Sequence, residues 1–379
     1  MDFKLMIDST GTPEWILLML FVTTFLVQCY YYLGIYIRLP RFKEGERKRS
    51  SKGVSVVVCA RNEADNLEKF LPLLLEQQYP KFEVVVVNDC STDRTEELLS
   101  EMKVRYDKLR YTSIPLNEFM HGKKLALTIG LKSAKYDYVL LTDADCYPSG
   151  KLWLQFMAGK LGGDKDIVLG YGKYAKQKGL LNIIIRYETV FTAIQYFSFT
   201  LKGRPYMGVG RNLGYRKDLF FKNRGFSGHY HIPSGDDDLF VNQNAVKENT
   251  SIEIEPESQT ISIPKETFTA WIRQKRRHIV AGNYYNKGTR FILGVEILSR
   301  LILYTSSITL LTTSSWFWPV AIIFGLFLAV RMTIFKLGMM RLNEKYLLLP
   351  SLLLDLLLPI ILGVIWISNI FLTKDQSWS

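Results

Sequence analysis

Uncharged and largely apolar residues run without a break from 15 to 37, and the same character returns from Phe291 almost to the C-terminus. Between these stretches the pattern changes to short β-branched runs alternating with helical periodicity. About 20 apolar residues in a helix cross the hydrocarbon core of a bilayer. The first stretch is long enough, and it lacks the short core and small-residue cleavage site of a signal peptide, so it reads as a retained anchor. The second divides into helices over 291–312, 316–335 and 347–372, with Trp316-Phe317-Trp318-Pro319 as an interfacial turn. Glu296 and Arg300 stand one helical turn apart and can pair. Asp355 is alone in its apolar run. An intramembrane acid is a functional suspect, and a carboxyl lining a helix contact is the alternative.

In the middle region, Val54-Ser55-Val56-Val57-Val58-Cys59 predicts a buried strand, followed by the polar loop Ala60-Arg61-Asn62-Glu63. A helix is predicted over 65–78, with Leu67, Phe70, Leu71, Leu74 and Leu75 inward and Pro80 beyond its end. A second strand over 82–87 closes in Asn88-Asp89-Cys90-Ser91-Thr92-Asp93, and Ser91, Thr92 or Asp93 caps a helix over 94–102. A helix over 123–133 precedes a strand over 138–142 that ends in Asp143-Ala144-Asp145. This alternation predicts an α/β domain, a mainly parallel sheet with helices on both faces. Ligands bind such sheets beyond the carboxyl ends of the strands. Arg61 with Glu63, then Asp89, then Asp143 with Asp145 each follow a strand, so the three clusters converge on one crevice. Residues 180–201 are apolar with Arg186 and Glu188 included, which reads as an amphipathic helix lying on the membrane surface, the alternative being a second-layer core helix. The chain thus divides into an anchor with its basic flank (1–52), a catalytic-type domain (53–287) and C-terminal membrane helices (288–379).

Charge fixes the orientation. Among the 379 residues, Lys and Arg number 48 against 36 acids, a net +12. Such an excess suits nucleic acid, an anionic membrane or phosphate-bearing substrates. Its placement favours the membrane: Arg38, Arg41, Lys43, Arg47, Lys48, Arg49 and Lys52 follow the first span, while Lys4 stands with Asp2, Asp8 and Glu14 before it. The positive-inside rule puts both termini outside, the 53–287 region in the cytoplasm, and Arg331, Lys336, Arg341 and Lys345 in a cytoplasmic basic loop. No nucleic-acid-binding signature stands out. Cys29, Cys59, Cys90 and Cys146 have neither zinc nor disulfide-framework spacing and read as reduced thiols. Neither GxGxxG after the first strand nor a P-loop occurs, which disfavours a dinucleotide oxidoreductase and a P-loop ATPase.

Asp143 and Asp145 carry the chemistry. On a continuing strand they would point the same way, and two clustered carboxylates are costly without a cation. Mg²⁺ usually takes one or two carboxylates plus substrate phosphates, so the pair suggests a metal-bridged diphosphate.

With these residues the chain resembles the family 2 glycosyltransferases, inverting enzymes of the GT-A nucleotide-diphospho-sugar fold, from Val54 to about His278. Val56 to Glu63 is similar to the family's opening strand and loop, with Ala60, Arg61 and Glu63 beside the donor. Asp89 matches the aspartate that accepts from the nucleotide base. Gly122-Lys123 with Ala126-Leu127 resembles a Gly-Lys-x-x-Ala-Leu helix start near the nucleotide, and Asp143-Ala144-Asp145 the metal-binding DxD. Ser234-Gly235-Asp236-Asp237-Asp238-Leu239-Phe240 resembles the segment carrying the catalytic base; aligned on Gly235 the base is Asp237, with Asp236 and Asp238 as runners-up. Gln274-Lys275-Arg276-Arg277-His278 resembles Gln-x-x-Arg-Trp, with His278 in place of Trp and Arg277 beside the diphosphate. Residues 208–216 resemble the Gly-x-Asn strand and loop by the acceptor. The resemblance implies a membrane-bound hexosyltransferase using Mg²⁺ or Mn²⁺, a UDP-sugar donor and a lipid or lipid-linked glycan acceptor at the cytoplasmic face. A processive polysaccharide synthase is the alternative, and a non-catalytic scaffold on the same fold a distant third.

Overall fold

The computed structural model describes residues 11–45, 50–115, 122–232 and 234–371. Asp2, Lys4, Asp8, Arg47, Lys48 and Arg49, used above for orientation, lie outside them. In chain order the elements are α1 (Thr12–Arg41), β1 (Val54–Ala60), α2 (Ala64–Leu75), β2 (Phe82–Asp89), α3 (Thr95–Arg105), β3 (Leu109–Ile114), α4 (Lys123–Ser133), β4 (Tyr138–Asp143) and β5 (Cys146–Pro148). Then come α5 (Trp153–Gly159), β6 (Ile167–Gly170), β7 (Gly172–Tyr174), α6 (Leu180–Leu201), β8 (Leu213–Arg216), α7 (Lys217–Lys222), α8 (Asp238–Asn244), β9 (Thr250–Glu253) and β10 (Thr260–Ser262). The chain continues through α9 (Phe268–Gly282), α10 (Lys287–Thr313), α11 (Phe317–Arg341) and α12 (Leu348–Phe371).

Seven strands form one sheet in the order β3-β2-β1-β4-β8-β6-β9, and only β8 runs against the rest. A three-stranded sheet, β5-β10-β7, sits beside it. The valine-rich run of β1, interrupted by Ser55, is explained by burial on both faces. Val54, Val56 and Val58 pack with Leu67, Leu71, Leu99 and Trp153 on one side, while Val57 packs with Leu127 and Leu131 on the other. Gly130 lets α4 lie against the sheet: a Cβ there would come 2.5 Å from Val57 Cγ1.

Several boundaries differ from expectation. The helix expected over 65–78 ends at Leu75, because Gln78 N–H bonds Lys151 O and the Gln77 amide bonds Gly150 O. Phe70 is half-buried and stacks on Tyr147 at 4.9 Å instead of joining the helix's inward row. α3 runs past 102 to Arg105, where charged residues continue an exposed turn. β3 has no counterpart in the expected elements; it is an edge strand buried only at Leu109 and Ile114, and its polar middle hides the strand pattern.

Four helices among the described residues, α1, α10, α11 and α12, are long and apolar enough to cross a membrane. The break expected near Trp316 is present, between Thr313 and Phe317. Within α1, Tyr30–Tyr36 is wound as a π-helix, with Ile37 N–H bonding Tyr32 O at 3.0 Å. Such π-turns are rare; this one turns Tyr31, Tyr32 and Tyr36 into the core.

Arg331 is not a loop cation. It lies fully buried in α11, its Nε 2.9 Å from Asp355 Oδ2. Asp355 Oδ1 accepts from Arg300 Nη1 at 2.8 Å and from the Tyr187 hydroxyl at 3.1 Å, and Tyr304 donates to Oδ2 at 2.9 Å. Arg300 also pairs with Glu296 at 3.3 Å, as their spacing predicts. The lone acid of the sequence therefore joins a buried network that ties α6, α10, α11 and α12. Arg331 and Asp355 lie on different helices, and only packing makes them partners.

Nor is α6 a surface helix. Fifteen of its 22 residues are buried. Tyr196 O–H bonds Gly170 O in β6, and Gln195 Nε2 donates to the Tyr36 hydroxyl in α1. It is the layer between the sheet and the membrane helices, and one hydrophobic core runs from Val57 and Leu169 through Phe191 and Ile194 to Leu303, Ile334 and Ile365.

Candidate active site

β1 and β4 run side by side with Cys59 opposite Asp143, so the loops leaving their carboxyl ends meet. β1 ends in the buried Ala60 and releases Arg61 and Glu63 into the same crevice as Asp143 and Asp145. The loop after β2 is stitched to the loop after β1: Asn62 Oδ1 accepts from Thr92 N–H at 2.7 Å, and Ala64 N–H donates to Asp93 Oδ2 at 3.1 Å. Asp93 also accepts from Thr95 N–H, at the start of α3.

Asp89 is fully buried at the end of β2. Its Oδ2 accepts from Gly122 N–H at 3.0 Å, while its Oδ1 has no partner among the described residues. Gly122 adopts φ 130°, a backbone setting that side chains rarely tolerate, and from it α4 starts with Lys123. Lys123 Nζ lies 3.0 Å from Asp143 Oδ1 and 3.0 Å from Asp236 Oδ2. Burial opposes its charge, but Asp143, Asp236 and Asp237 outweigh burial and hold its pKa well above the ordinary lysine value.

β4 stops at Asp143, so the pleat expected to aim both carboxylates the same way does not continue; Ala144 and Asp145 form a turn into β5. Asp143, Asp145 and Cys146 nevertheless bring ligand atoms within 4.8 Å of one another. The Cys146 thiol is committed to Ser262 Oγ at 2.8 Å and Asp145 Oδ1 at 3.2 Å. Burial and then Asp143 push the Asp145 carboxyl above the usual range. Burial also opposes the Asp143 carboxylate, but Lys123 beside it holds its pKa low.

The three aspartates at 236–238 have different surroundings. Asp236 is buried and lines the crevice. Asp237 Oδ2 accepts from Gly210 N–H and its Oδ1 from Asp238 N–H, both at 2.7 Å, capping α8. Asp238 accepts from Leu239 N–H at 2.7 Å and from the Tyr285 hydroxyl at 2.8 Å. Asp237 and Asp238 thus face their own scaffold, and Asp236 faces the crevice.

α9 closes the far wall with Gln274, Arg277 and His278. Gln274 Nε2 donates to the Tyr174 hydroxyl at 3.3 Å, and Ser234 Oγ donates to Arg277 O at 2.6 Å. Burial and the cations Lys275, Arg211, Arg277 and Lys123 push His278 down to about 3, so its ring is neutral. α9 is in turn fixed to α12: Arg276 Nη2 donates to Ser368 Oγ, Asn369 Nδ2 to Arg276 O, and Trp366 Nε1 to Asn283 Oδ1. The crevice encloses about 150 Å³.

Lys265 and Ser234 also line it and carry no pattern that a sequence reading could use. Arg211 had one available signal, a cation inside the Gly-x-Asn segment. It is held over the Tyr174 ring at 4.4 Å and donates to Gly172 O at 3.1 Å. Asn212 of that segment has a structural job: it accepts from Trp153 Nε1 and donates to Tyr171 O and Ser258 O.

Known proteins agree with this architecture. Residues 139–368, more than half of the chain, match the sequence model for "Glycosyl transferase family group 2", and residues 55–222 that for "Glycosyl transferase family 2". The chain belongs to the family 2 glycosyltransferases and is a sugar-transferring enzyme of GT-A fold. The poly-beta-1,6-N-acetyl-D-glucosamine synthase of Staphylococcus epidermidis is 34% identical over 94 residues, 25% of this chain and 22% of that protein. The synthase of the same name from Staphylococcus aureus (strain MSSA476) is 37% identical over 94 residues, again 25% and 22%. The match spans between a fifth and a quarter of each relative's length. Among solved structures, the mannosyltransferase PcManGT from Pyrobaculum calidifontis in complex with GDP-Man and Mn²⁺ superposes with a TM-score of 0.57 at 20% identity, over 90% of this chain and 98% of that one. At this identity the likeness is one of fold.

Proposed function

We propose that this chain transfers sugar from a nucleotide-diphospho-sugar, with inversion, to a growing glycan at the cytoplasmic membrane face, as a polysaccharide synthase. The observation that carries the transfer chemistry is the gathering of Lys123, Asp143, Asp145, Asp236 and Arg277 around one crevice; Asp89, expected there from the sequence, does not line it but lies buried behind it, bound to Gly122 N–H. The matched synthases support a polymer product, so the order of the two readings from sequence is reversed. Transfer of a single sugar to a lipid or lipid-linked acceptor is the second reading. It is favoured by the helical bundle: Asp355, Arg300 and Arg331 fill part of its interior, and the space beside Arg300 is a cavity of about 360 Å³ lined mostly by apolar side chains such as Phe191, Leu358 and Leu362, which suits an acyl chain.

Asp89 Oδ1, without a partner among the described residues, suits a base N–H donor such as uracil N3–H, which supports a uridine nucleotide. Arg277 stands where it offsets charge on the departing diphosphate. Asp143 and Asp145 fit Mg²⁺ or Mn²⁺, since both offer hard oxygens, and burial with the Asp143 charge outweighs the relief that Cys146, Lys265 and Arg211 give Asp145. Such an ion, when bound, supplies Lewis-acid neutralisation of the leaving group. The acceptor hydroxyl attacks the anomeric carbon opposite the diphosphate, the bond to the leaving oxygen breaks, and the hydroxyl proton passes to a carboxylate. Asp236 suits that role better than Asp237, because both oxygens of Asp237 already accept backbone N–H groups. Burial raises the pKa of Asp236, Lys123 lowers it, and the net shift is upward, toward a stronger base.

The test uses purified full-length protein in detergent with Mn²⁺, a membrane lipid extract and a panel of UDP- and GDP-sugars, including N-acetylglucosamine because of the matched synthases. A product ladder spaced by one sugar supports the synthase. A single-sugar lipid adduct supports the second reading. No donor-dependent product with any sugar overturns both.

A further inference from the structure

Two carboxylates near the end of β4, joined by a third at 236, call for a cation. The chain brings one of its own. Lys123 bridges Asp143 and Asp236 at 3.0 Å each, with its side chain only 23% exposed. Its backbone is anchored, because Gly122 N–H is bound to the buried Asp89. Asp143 is also one of the two acids suited to hold a divalent ion. An ammonium and a divalent ion on one carboxylate repel each other strongly in a crevice of reduced dielectric.

We infer that Lys123 is a positioning residue that acts as a built-in counter-ion, pairing with Asp143 and so competing there with a divalent ion until a donor diphosphate brings further negative charge. This rests on reading Asp143 and Asp145 as the acids that hold the ion. The consequence is joint loading: donor and ion enter together, because phosphate oxygens give the ion new ligands and let Lys123 share its charge between phosphate and Asp236. The arrangement also fixes the Asp236 carboxyl in place before the acceptor arrives.

The test measures Mn²⁺ binding by the electron paramagnetic resonance signal of free Mn²⁺, without turnover, for the full chain with and without UDP. The wild-type protein should bind Mn²⁺ weakly alone and much more tightly with UDP. Lys123→Met should bind Mn²⁺ alone on the order of tenfold more tightly, and UDP should then add little. Lys123→Arg, which keeps the charge, should behave like wild type. Damage to the fold lowers affinity, so a gain cannot come from it; Lys123→Gln serves if the Met variant is unstable. Equal or weaker Mn²⁺ binding by the folded Lys123 variants, with wild type still responding to UDP, overturns the inference alone. Absence of Mn²⁺ binding by every protein, with or without UDP, overturns the metal reading and this inference with it.

Discussion

A carboxylate that already accepts two backbone N–H groups has little left to offer a substrate, and this separates Asp237 from Asp236. Asp236→Asn should lower kcat by roughly 10²–10⁴-fold, the usual effect of losing a general base, with donor affinity little changed. Asp237→Ala removes a helix cap and should instead cost about 0.5–2 kcal/mol of stability. Normal turnover by Asp236→Asn beside a dead, folded Asp237→Asn would favour Asp237, the assignment made from sequence. Their neighbour gives a pH signature. Burial and then Asp237 push Asp238 up to about 8, against about 3.9 in an unfolded chain. Its folded value lies above its unfolded one, so the stability it contributes is present at low pH and lost as pH rises from about 4 through about 8. Asp238→Asn should gain on wild type across that window and hold a constant lead above it, read from thermal unfolding at pH 5 and pH 9. An equal difference at both values would mean that the carboxyl stays ionised. Asp89 and Asp143 stood out as candidates because each ends a strand whose pattern is plain, and Asp145 because it follows two residues on. The choice within 236–238 was not legible, because it depends on the Gly210 N–H, which reaches Asp237 only through the fold.

Elements were legible where one physical cause dominates. α4 runs from Lys123 to Ser133 as expected, and β1 announces itself by its valine-rich run. β3 and the three-stranded sheet escaped because short strands such as Thr260–Ser262 draw their identity from their partners. The charged network among the membrane helices escaped for a similar reason: hydropathy registers Asp355 and Arg331 as separate interruptions. Breaking a buried pair by removing one partner costs about 3–5 kcal/mol. Asp355→Ala leaves Arg300 and Arg331 without their shared acid and should lower thermal stability in detergent by about that much. Pairing Asp355→Leu with Arg331→Met should recover part of the loss. A single variant as stable as wild type would show that the network contributes nothing.

Across the whole molecule, four helices among the described residues are long and apolar enough to cross a membrane, and four crossings should bring residues 11 and 371 to the same side. The basic flank at 38–52 and the turn after α11 should both face the cytoplasm, so cysteines placed at Ser50 and Asn343 should resist a membrane-impermeant maleimide applied from outside. Labelling of either from outside would refute the orientation. The long apolar helices lie where hydropathy places them, with the break near Trp316. Their attachment to the catalytic half was not readable from hydropathy, since it runs through α6, whose mixed pattern gives no hint that both its sides are covered. That attachment, with α9 pinned at Arg276 and Asn283 to the far end of α12, makes the surrounding lipid a mechanical component of the enzyme. A thinner or thicker bilayer tilts a spanning helix, and tilting α12 displaces the wall that holds Arg277. Turnover in nanodiscs should therefore vary with acyl-chain length while donor affinity stays constant, so that the same enzyme runs at different speeds in membranes of different thickness.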